Sequence, residues 1–471
     1  MSNERRLYMG PSLRRLRRDL GLTQADMAAD LEVSASYIAL LERNHRPLSA
    51  EILVRLAETY KVDVAALAGK GGTDDSGRLQ AVLKDPMFAD IDLPALETTD
   101  VATNFPGVME AMLRLYTAYQ EEHLALADRG AEAHAAGGER RPDAADPVAE
   151  ARRFLAARRN SFPTLDDAAE RLAQTVAGHG GLIDYLKNHH GFRVRRLPSS
   201  VLVGSARRLD RHHREILLDD SLDTASQTFQ LAIQLAYLEL RGEIDAVIRD
   251  GTFASESGER LAHRALASYA AAAVLMPYSA FARAAETRRY DVEALARQFS
   301  ASFEQTAHRL TTLQKPGQER VPFFFIRVDE AGNVSKRLDG AGFPFALHGG
   351  GCPLWSVHQA FRTPRQIVTQ WLELPGGLRF FSIARTVTAG GGAFDAPRAE
   401  RAIALGCAAE HAGRLVYTQD RPGPETATPI GVTCRLCHRA ECVARSAPPI
   451  GRQILPDDIR RTSTPFGFSD N

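Results

Sequence analysis

The sequence predicts a multidomain fold: a small all-α N-terminal domain, a mostly helical α+β middle region and an α+β C-terminal domain. At 471 residues the chain exceeds what one ordinary core accommodates. Helical apolar spacing dominates the first 70 residues, and strand-like patterns take over beyond Tyr290. A composition of 44% hydrophobic and 25% charged residues is globular. The expected boundaries are residues 1–70, a helical linker with a mobile loop over 71–149, a middle domain over 150–290 and a C-terminal domain over 291–471.

In the first region, Leu13, Leu16 and Leu20, then Met27, Ala28 and Leu31, then Ile38 and Leu41, then Ile52, Val54 and Leu56, and last Val64 and Leu67, recur at helical spacing. Five short helices follow, with Thr23, Ser34 and Ser49 as N-caps of the second, third and fourth. Glu32-Val33 joins helices two and three, which makes the pair a helix-turn-helix. Gln24 opens helix two and would set its amide and the helix N-terminus against a phosphate. Ser34, Ala35, Ser36 and Tyr37 lie at the start of the third helix, where a major groove would be read. Asn44, His45 and Arg46 would reach backbone phosphates. The cluster Arg5, Arg6, Arg14, Arg15, Arg17 and Arg18 gives a local positive excess suited to phosphates, although the whole chain balances 58 basic against 58 acidic residues.

GKGGTDDSG at 69–77 marks a domain boundary. Val108, Met112, Leu115 and Tyr119 predict a long helix, and the Ala/Gly/charge-rich 128–147 segment a mobile loop. The middle domain opens with helical patterns (RRFLAARRNSF, LDDAAERLAQTV, GLIDYLKNH), continues with strands FRVRRLP and EILLDDSL, and closes with helices at about 224–241 and 255–275. VPFFFIRVDEAGNVSKRL reads as two strands joined by Ala331-Gly332-Asn333, and QIVTQWLEL, LRFFSIARTVT and RLVYTQD as further strands.

No apolar run approaches the roughly 18 residues of a membrane span. The longest, Ala270–Pro277, is far shorter, and the N-terminus lacks a signal-peptide core, so a cytoplasmic location without membrane contact is expected. All five cysteines fall in the last 120 positions, which in a cytosolic chain argues for metal rather than disulfides. Cys434, Cys437 and Cys442 form a C-x2-C-x4-C loop able to hold one metal centre from one side, the fourth ligand coming from Cys407 or Cys352. Zinc completed by His438 or His411 and an iron–sulfur cluster on four thiolates both fit the pattern.

Residues 8–67, with Leu-Thr-Gln opening helix two and Tyr-Ile-x-x-Leu-Glu-Arg in helix three, closely resemble the Xre/Cro helix-turn-helix family, which implies binding of double-stranded operator DNA as a homodimer or tetramer. TFQLAIQLAYLEL and LASYAAAAVLMPY resemble the zinc-peptidase-like domain often fused to such modules. Where active relatives carry His-Glu-x-x-His and a carboxylate, this chain has Ile233, Gln234, Tyr237 and Leu266, and His263, His212 and His213 do not restore the pattern, so no enzyme activity is expected. The rival is a peptidase-type regulator that cleaves a partner.

GFPFALHGGGCPLWSVHQAF, LGCAAEHAGRLVY and CRLCHRAECVARSAPP resemble the C-terminal domain of short-chain fatty acyl-CoA regulators. That resemblance implies a one-component transcription regulator responsive to an acyl-CoA, with a 4Fe-4S cluster on Cys407, Cys434, Cys437 and Cys442 and Cys352 in reserve. It also implies control of short-chain fatty acid, propionyl-CoA or glyoxylate-type metabolism. A coenzyme A ligand calls for arginines and an apolar channel, and Arg193, Arg195, Tyr269 and Arg327 are the expected contributors.

Overall fold

The computed structural model describes residues 10–60 except 44, isolated turns between 79 and 119, and 146–471 except 339, 346–350, 391–397, 420 and scattered positions from 450 onward. The chain divides into two compact units: residues 1–136 with 315–319 and 374–378, and residues 137–314, 320–373 and 379–471.

The first unit contains helices α1 (Gly10–Asp19), α2 (Gln24–Asp30), α3 (Ala35–Glu42) and α4 (Ala50–Tyr60). Thr23 and Asp26 form a capping box on α2, Ser34 accepts the Tyr37 amide at α3, and Ser49 accepts the Ile52 amide at α4. The chain turns between α2 and α3 through Glu32 at φ 54°, a left-handed conformation. Leu13, Leu16, Met27, Leu31, Ile38, Leu41, Ile52 and Leu56 bury their side chains in one core. The expected fifth helix at Val64 and Leu67 lies outside the described residues, as do positions 128–145 of the loop expected over 128–147, while Asp146 and Pro147 cap and open a helix. Of the long helix expected beyond residue 100, the described turns bury Met109 and Leu113, whereas Val108, Met112, Leu115 and Tyr119 are exposed. The apolar stripe read from the sequence is therefore not the face that packs within this unit.

In the second unit, α5 (Pro147–Ala157), α6 (Pro163–Gly178) and α7 (Leu182–Asn188) precede a three-stranded sheet of β1 (Arg193–Leu197), β2 (Arg207–Asp210) and β3 (Glu215–Asp219). The central β3 runs parallel to β1 and antiparallel to β2. Helix α8 (Ser199–Leu202) crosses between β1 and β2, and α9 (Thr224–Glu239), α10 (Arg241–Arg249) and α11 (Glu256–Leu275) complete the layer. The short, Arg-rich β2 carries no apolar alternation, which hid it in the sequence.

Helices α12 (Tyr278–Thr287), α13 (Val292–Gln298) and α14 (Phe303–Leu310) pack with a six-stranded sheet in the order β5 (Val334–Leu338), β4 (Phe324–Val328), β8 (Arg398–Ala408), β7 (Arg379–Gly390), β6 (Val368–Glu373), β9 (Thr428–Pro429). All neighbours are antiparallel except β6 and β9. One sheet face buries Phe325, Phe381, Ile383, Ile403, Leu405 and Cys407 in a core that also holds Met276, Phe281 and Leu295. The boundary expected at 290 falls inside that core. Phe324, Phe343, Trp355 and Phe380 form an aromatic cluster in which Phe324 stacks on Phe343 at 4.3 Å. Gly406 makes room for it, since a Cβ there would stand 2.3 Å from the Phe324 ring. RLVYTQD is not a strand. Val416–Thr418 form a 3-10 turn whose backbone answers Arg289, and the Tyr417 hydroxyl accepts the Val292 amide.

A buried ion pair joins these layers. Arg309 of α14 donates to the Asp166 carboxylate of α6 at 2.8 Å, with both side chains fully buried. Arg309 also donates to the Met276 carbonyl and the Thr312 hydroxyl, and Tyr269 donates to the other Asp166 oxygen at 2.5 Å. Burial works against the Arg309 charge, but Asp166 beside it more than restores the cationic form. Asp166→Ala is expected to destabilise the chain by about 3–5 kcal/mol, because an uncompensated guanidinium stays buried. The paired replacement Asp166→Leu with Arg309→Met should cost less than either single loss. Urea unfolding of the three variants checks both statements.

Candidate functional site

The N-terminal motif presents a polar face. Ser34, Ala35 and Ser36 are exposed at the start of α3, Tyr37 is half-buried behind them, and Arg46 lies over the Tyr37 ring at 5.9 Å. Arg14, His45 and Arg46 are exposed, and Asn44 lies outside the described residues. Ser34 also caps α3, so its hydroxyl fixes the helix start as well as facing outward. Gln24 is committed elsewhere than expected: its amide donates to Glu42 at 2.7 Å. Glu42 is buried and also receives Arg17 at 2.5 Å, while Arg17 donates to the Leu22 carbonyl. Burial pushes the Glu42 carboxyl up, but Arg17 and Gln24 together bring it below its ordinary value. Arg17 thus leaves the phosphate-facing set and, with Gln24 and Glu42, locks α1, α2 and α3 together. The Gln24 backbone still opens α2.

Where a peptidase would hold zinc, the side chains are a half-buried Ile233, a buried Gln234 and a fully buried Leu266. Tyr237 stacks on His263 at 5.9 Å, and the guanidinium of Arg207 lies over the same ring at 5.8 Å. His263 meets Asp245 at 3.0 Å, and His213 meets Asp210 at 2.9 Å. The position is filled by an aromatic stack.

The four residues expected around an acyl-CoA are not brought together. Arg193 and Arg195 share Glu215 on the three-stranded sheet, at 3.2 and 3.1 Å. Arg327 pairs with Glu304 at 2.7 Å on the six-stranded sheet. Tyr269 is buried against Asp166, in the core rather than in a channel. All four are already engaged with a neighbouring carboxylate.

The cysteines converge, with one exchange. Cys352, Cys434, Cys437 and Cys442 line one small recess, partly open to solvent, together with Gly431, Thr433, Arg439 and Arg445. Strand β6 sets both sides of it. Gln370 grips the Cys352 loop by accepting the Ser356 amide at 2.7 Å and donating to the Leu354 carbonyl at 2.9 Å. At the end of the same strand the Glu373 carbonyl accepts the Ile430 amide and Arg439, which anchor the C-x2-C-x4-C loop. Arg445 is buried under that loop and donates to the carbonyls of Cys434 and Cys437 at 3.1 Å each. Gly431 leaves the space the thiols need, since a Cβ there would sit 2.9 Å from the Cys437 sulfur. Burial pushes the Cys434 thiol up, but hydrogen bonds from Ser446 and the Arg445 charge hold it below its ordinary value.

Cys407, assigned as a ligand on resemblance, is not part of this group. It points into the apolar core from β8, fully buried, and burial drives its thiol far up. Cys352 takes its place: it lies close enough to Cys434 and Cys437 for their charges to bear on it, and burial pushes its thiol up. Neither His411 nor His438 lines the recess. Glu42 and Gln370 went unnoticed because their partners lie 14 to 25 positions away, and Arg445 and Gly431 because their roles depend on how the cysteine loop folds back on itself.

A helix-turn-helix ahead of a peptidase-like scaffold stripped of its metal ligands, followed by a cysteine-lined α+β domain, defines a DNA-binding transcription regulator. Family descriptions divide the chain in the same order: helix-turn-helix at 13–67, IrrE N-terminal-like domain at 187–311, and short-chain fatty acyl coenzyme A regulator, C-terminal, at 312–466. The HTH-type transcriptional regulator RamB of Mycobacterium tuberculosis is 38% identical over 98% of both chains. The propionyl-CoA carboxylase regulator of Cereibacter sphaeroides is 37% identical over 99% of both, and the HTH-type transcriptional regulator PrpR of M. tuberculosis is 34% identical over 99% of this chain and 96% of its own. A solved M. tuberculosis transcriptional regulator matches with a TM-score of 0.64 at 35% identity, covering 69% of this chain and 100% of that one. The chain belongs to the short-chain fatty acyl-CoA regulator family, and it is a regulator, not an enzyme. Among the described residues, no single helix is long and apolar enough to cross a membrane.

In metal-free chain at neutral pH, iodoacetamide should modify Cys434 faster than Cys352 and Cys407 slowest of the three. Peptide mass spectrometry over a labelling time course reads the order, and comparable rates at Cys434 and Cys407 would contradict it.

Proposed function

We propose that the chain is a one-component regulator that binds operator DNA as a homodimer, responds to a short-chain acyl-CoA, and holds a 4Fe-4S cluster on Cys352, Cys434, Cys437 and Cys442. The observation that carries the cluster is the convergence of four thiols on one recess. The residues present fit such a group: the Ser446 N–H and hydroxyl both point at the Cys434 sulfur, a buried guanidinium favours thiolates, and a glycine keeps the space open. A bound cluster supplies either a rigid tie or a one-electron redox input.

Acyl-CoA responsiveness is supported by the names of the C-terminal family and of the C. sphaeroides relative. Control of short-chain fatty acid, propionyl-CoA or glyoxylate-type metabolism follows from the same reading. Ligand binding would bias two states of the dimer, a coupling ordinarily worth about 1–3 kcal/mol. Val108, Met112 and Leu115 support the homodimer: they are exposed in described helical turns and spaced four and three positions apart, a seam a second copy would cover.

Anaerobically purified chain is expected to be brown, with iron and sulfide in equal amounts. Cys352→Ala and Cys434→Ala should lose the colour, and Cys407→Ala should keep it. Stoichiometric zinc without colour would remove the cluster while leaving the regulator. Met112→Glu with Leu115→Glu should shift the chain toward monomer in sedimentation and weaken binding to a two-half-site operator. Unchanged sedimentation would remove this helix from the interface.

A further inference from the structure

A second metal-binding arrangement stands apart from the cysteines and from the lost peptidase position. His189 and His190 follow the end of α7, and Glu239 closes α9. One donor atom from each of the three lies within 4.8 Å of the others. The His190 Nε2 is 2.7 Å from the Glu239 carboxylate, and the His189 Nε2 is 3.7 Å from the same oxygen. Although His190 Nε2 is so close to that oxygen, it is fully buried and makes no hydrogen bond in proper geometry. A buried imidazole nitrogen held against a carboxylate oxygen, with the second imidazole facing the same oxygen, is a ready donor set for a cation.

The surroundings hold the donors in place. Tyr185 donates at 3.1 Å to the same Glu239 oxygen that both imidazoles face, which fixes the carboxylate toward them. The Tyr185 ring stacks on His189 at 4.9 Å and meets His190 edge-on at 5.6 Å. The turn after the two histidines is closed by Gly191 at φ 70°, whose amide returns to the Lys187 carbonyl, so both imidazoles leave a fixed backbone. His190 and Glu239 are mostly buried, and His189 is 56% exposed, which leaves the outer side of the group open to solvent.

We propose that His189, His190 and Glu239 bind a divalent transition-metal ion, zinc by its ligand chemistry, with water or an outside donor in the fourth position. Two imidazole nitrogens and one carboxylate oxygen are a zinc donor set, and bonds of about 2.0–2.2 Å would form as the 2.7 Å gap between His190 and Glu239 widens around the ion. The ion would tie the end of α7 to the end of α9.

The test uses the full chain with its cysteine centre intact. Zinc content is measured after chelator competition in wild type, His190→Ala, Glu239→Gln and Tyr185→Phe, with Cys434→Ala as comparator. Wild type should hold one zinc that His190→Ala and Glu239→Gln lose and Cys434→Ala retains, and Tyr185→Phe should weaken it about tenfold. Cobalt in the same place should lack the near-ultraviolet thiolate absorption of a cysteine site. Should His190→Ala misfold by circular dichroism, the near-isosteric Glu239→Gln decides. The proposal is overturned if wild type takes up no zinc beyond its cysteines, if His190→Ala and Glu239→Gln both keep the ion, or if the ion disappears with Cys434.

Discussion

The fold of the larger unit depends on the Asp166–Arg309 pair. Two charges without solvent are tolerated only because nearly every donor and acceptor has a partner: the carboxylate takes Arg309 and Tyr269, and the guanidinium reaches Met276 and Thr312 as well. The pair reaches from α6 to α14 across the end of α11. The end of α11 and helices α12–α14 share one core with the six-stranded sheet, so the limits of sequence similarity at 311 and 312 do not mark a break in packing.

Local signals in the sequence proved sufficient for the helix-turn-helix. Thr23, Ser34 and Ser49 act within three residues of themselves, and the apolar spacing of Leu13 through Leu56 needs no distant partner to be read. Strands β4 to β7 were legible for the same reason. The cysteine centre was legible only in part. Cys434, Cys437 and Cys442 share one loop, but choosing Cys352 over Cys407 requires knowing what covers each side of β8. Both sides are covered, so apolar alternation is mute there. The same difficulty hid the buried face of the helix beyond residue 100, where Met109 and Leu113 pack inward and the more regular stripe stays outside.

The DNA-binding unit shows how a basic segment is divided between structure and recognition. Arg17 is spent on Glu42, and Gln24 with it, so the charge and amide expected to meet phosphate instead fix the angle between α1, α2 and α3. Arg14, Arg18, His45 and Arg46 remain exposed for a polyanion. Salt should therefore act on association through the exposed set, whereas the Glu42 clamp, largely shielded from solvent, is less sensitive to it.

Cys352 and Cys434 stand 82 positions apart, and β6, β7, β8 and β9 lie between them. A group bound by all four thiols would therefore be a cross-link as well as a centre, closing a loop that contains four of the six strands of the main sheet. A covalent tie over a loop of that length restricts the unfolded chain by about 4–5 kcal/mol in the chain-entropy view. Dismantling such a group would loosen the ends of the sheet in the same event that removed the ligand, so chemistry at the sulfurs would be felt mechanically along β6.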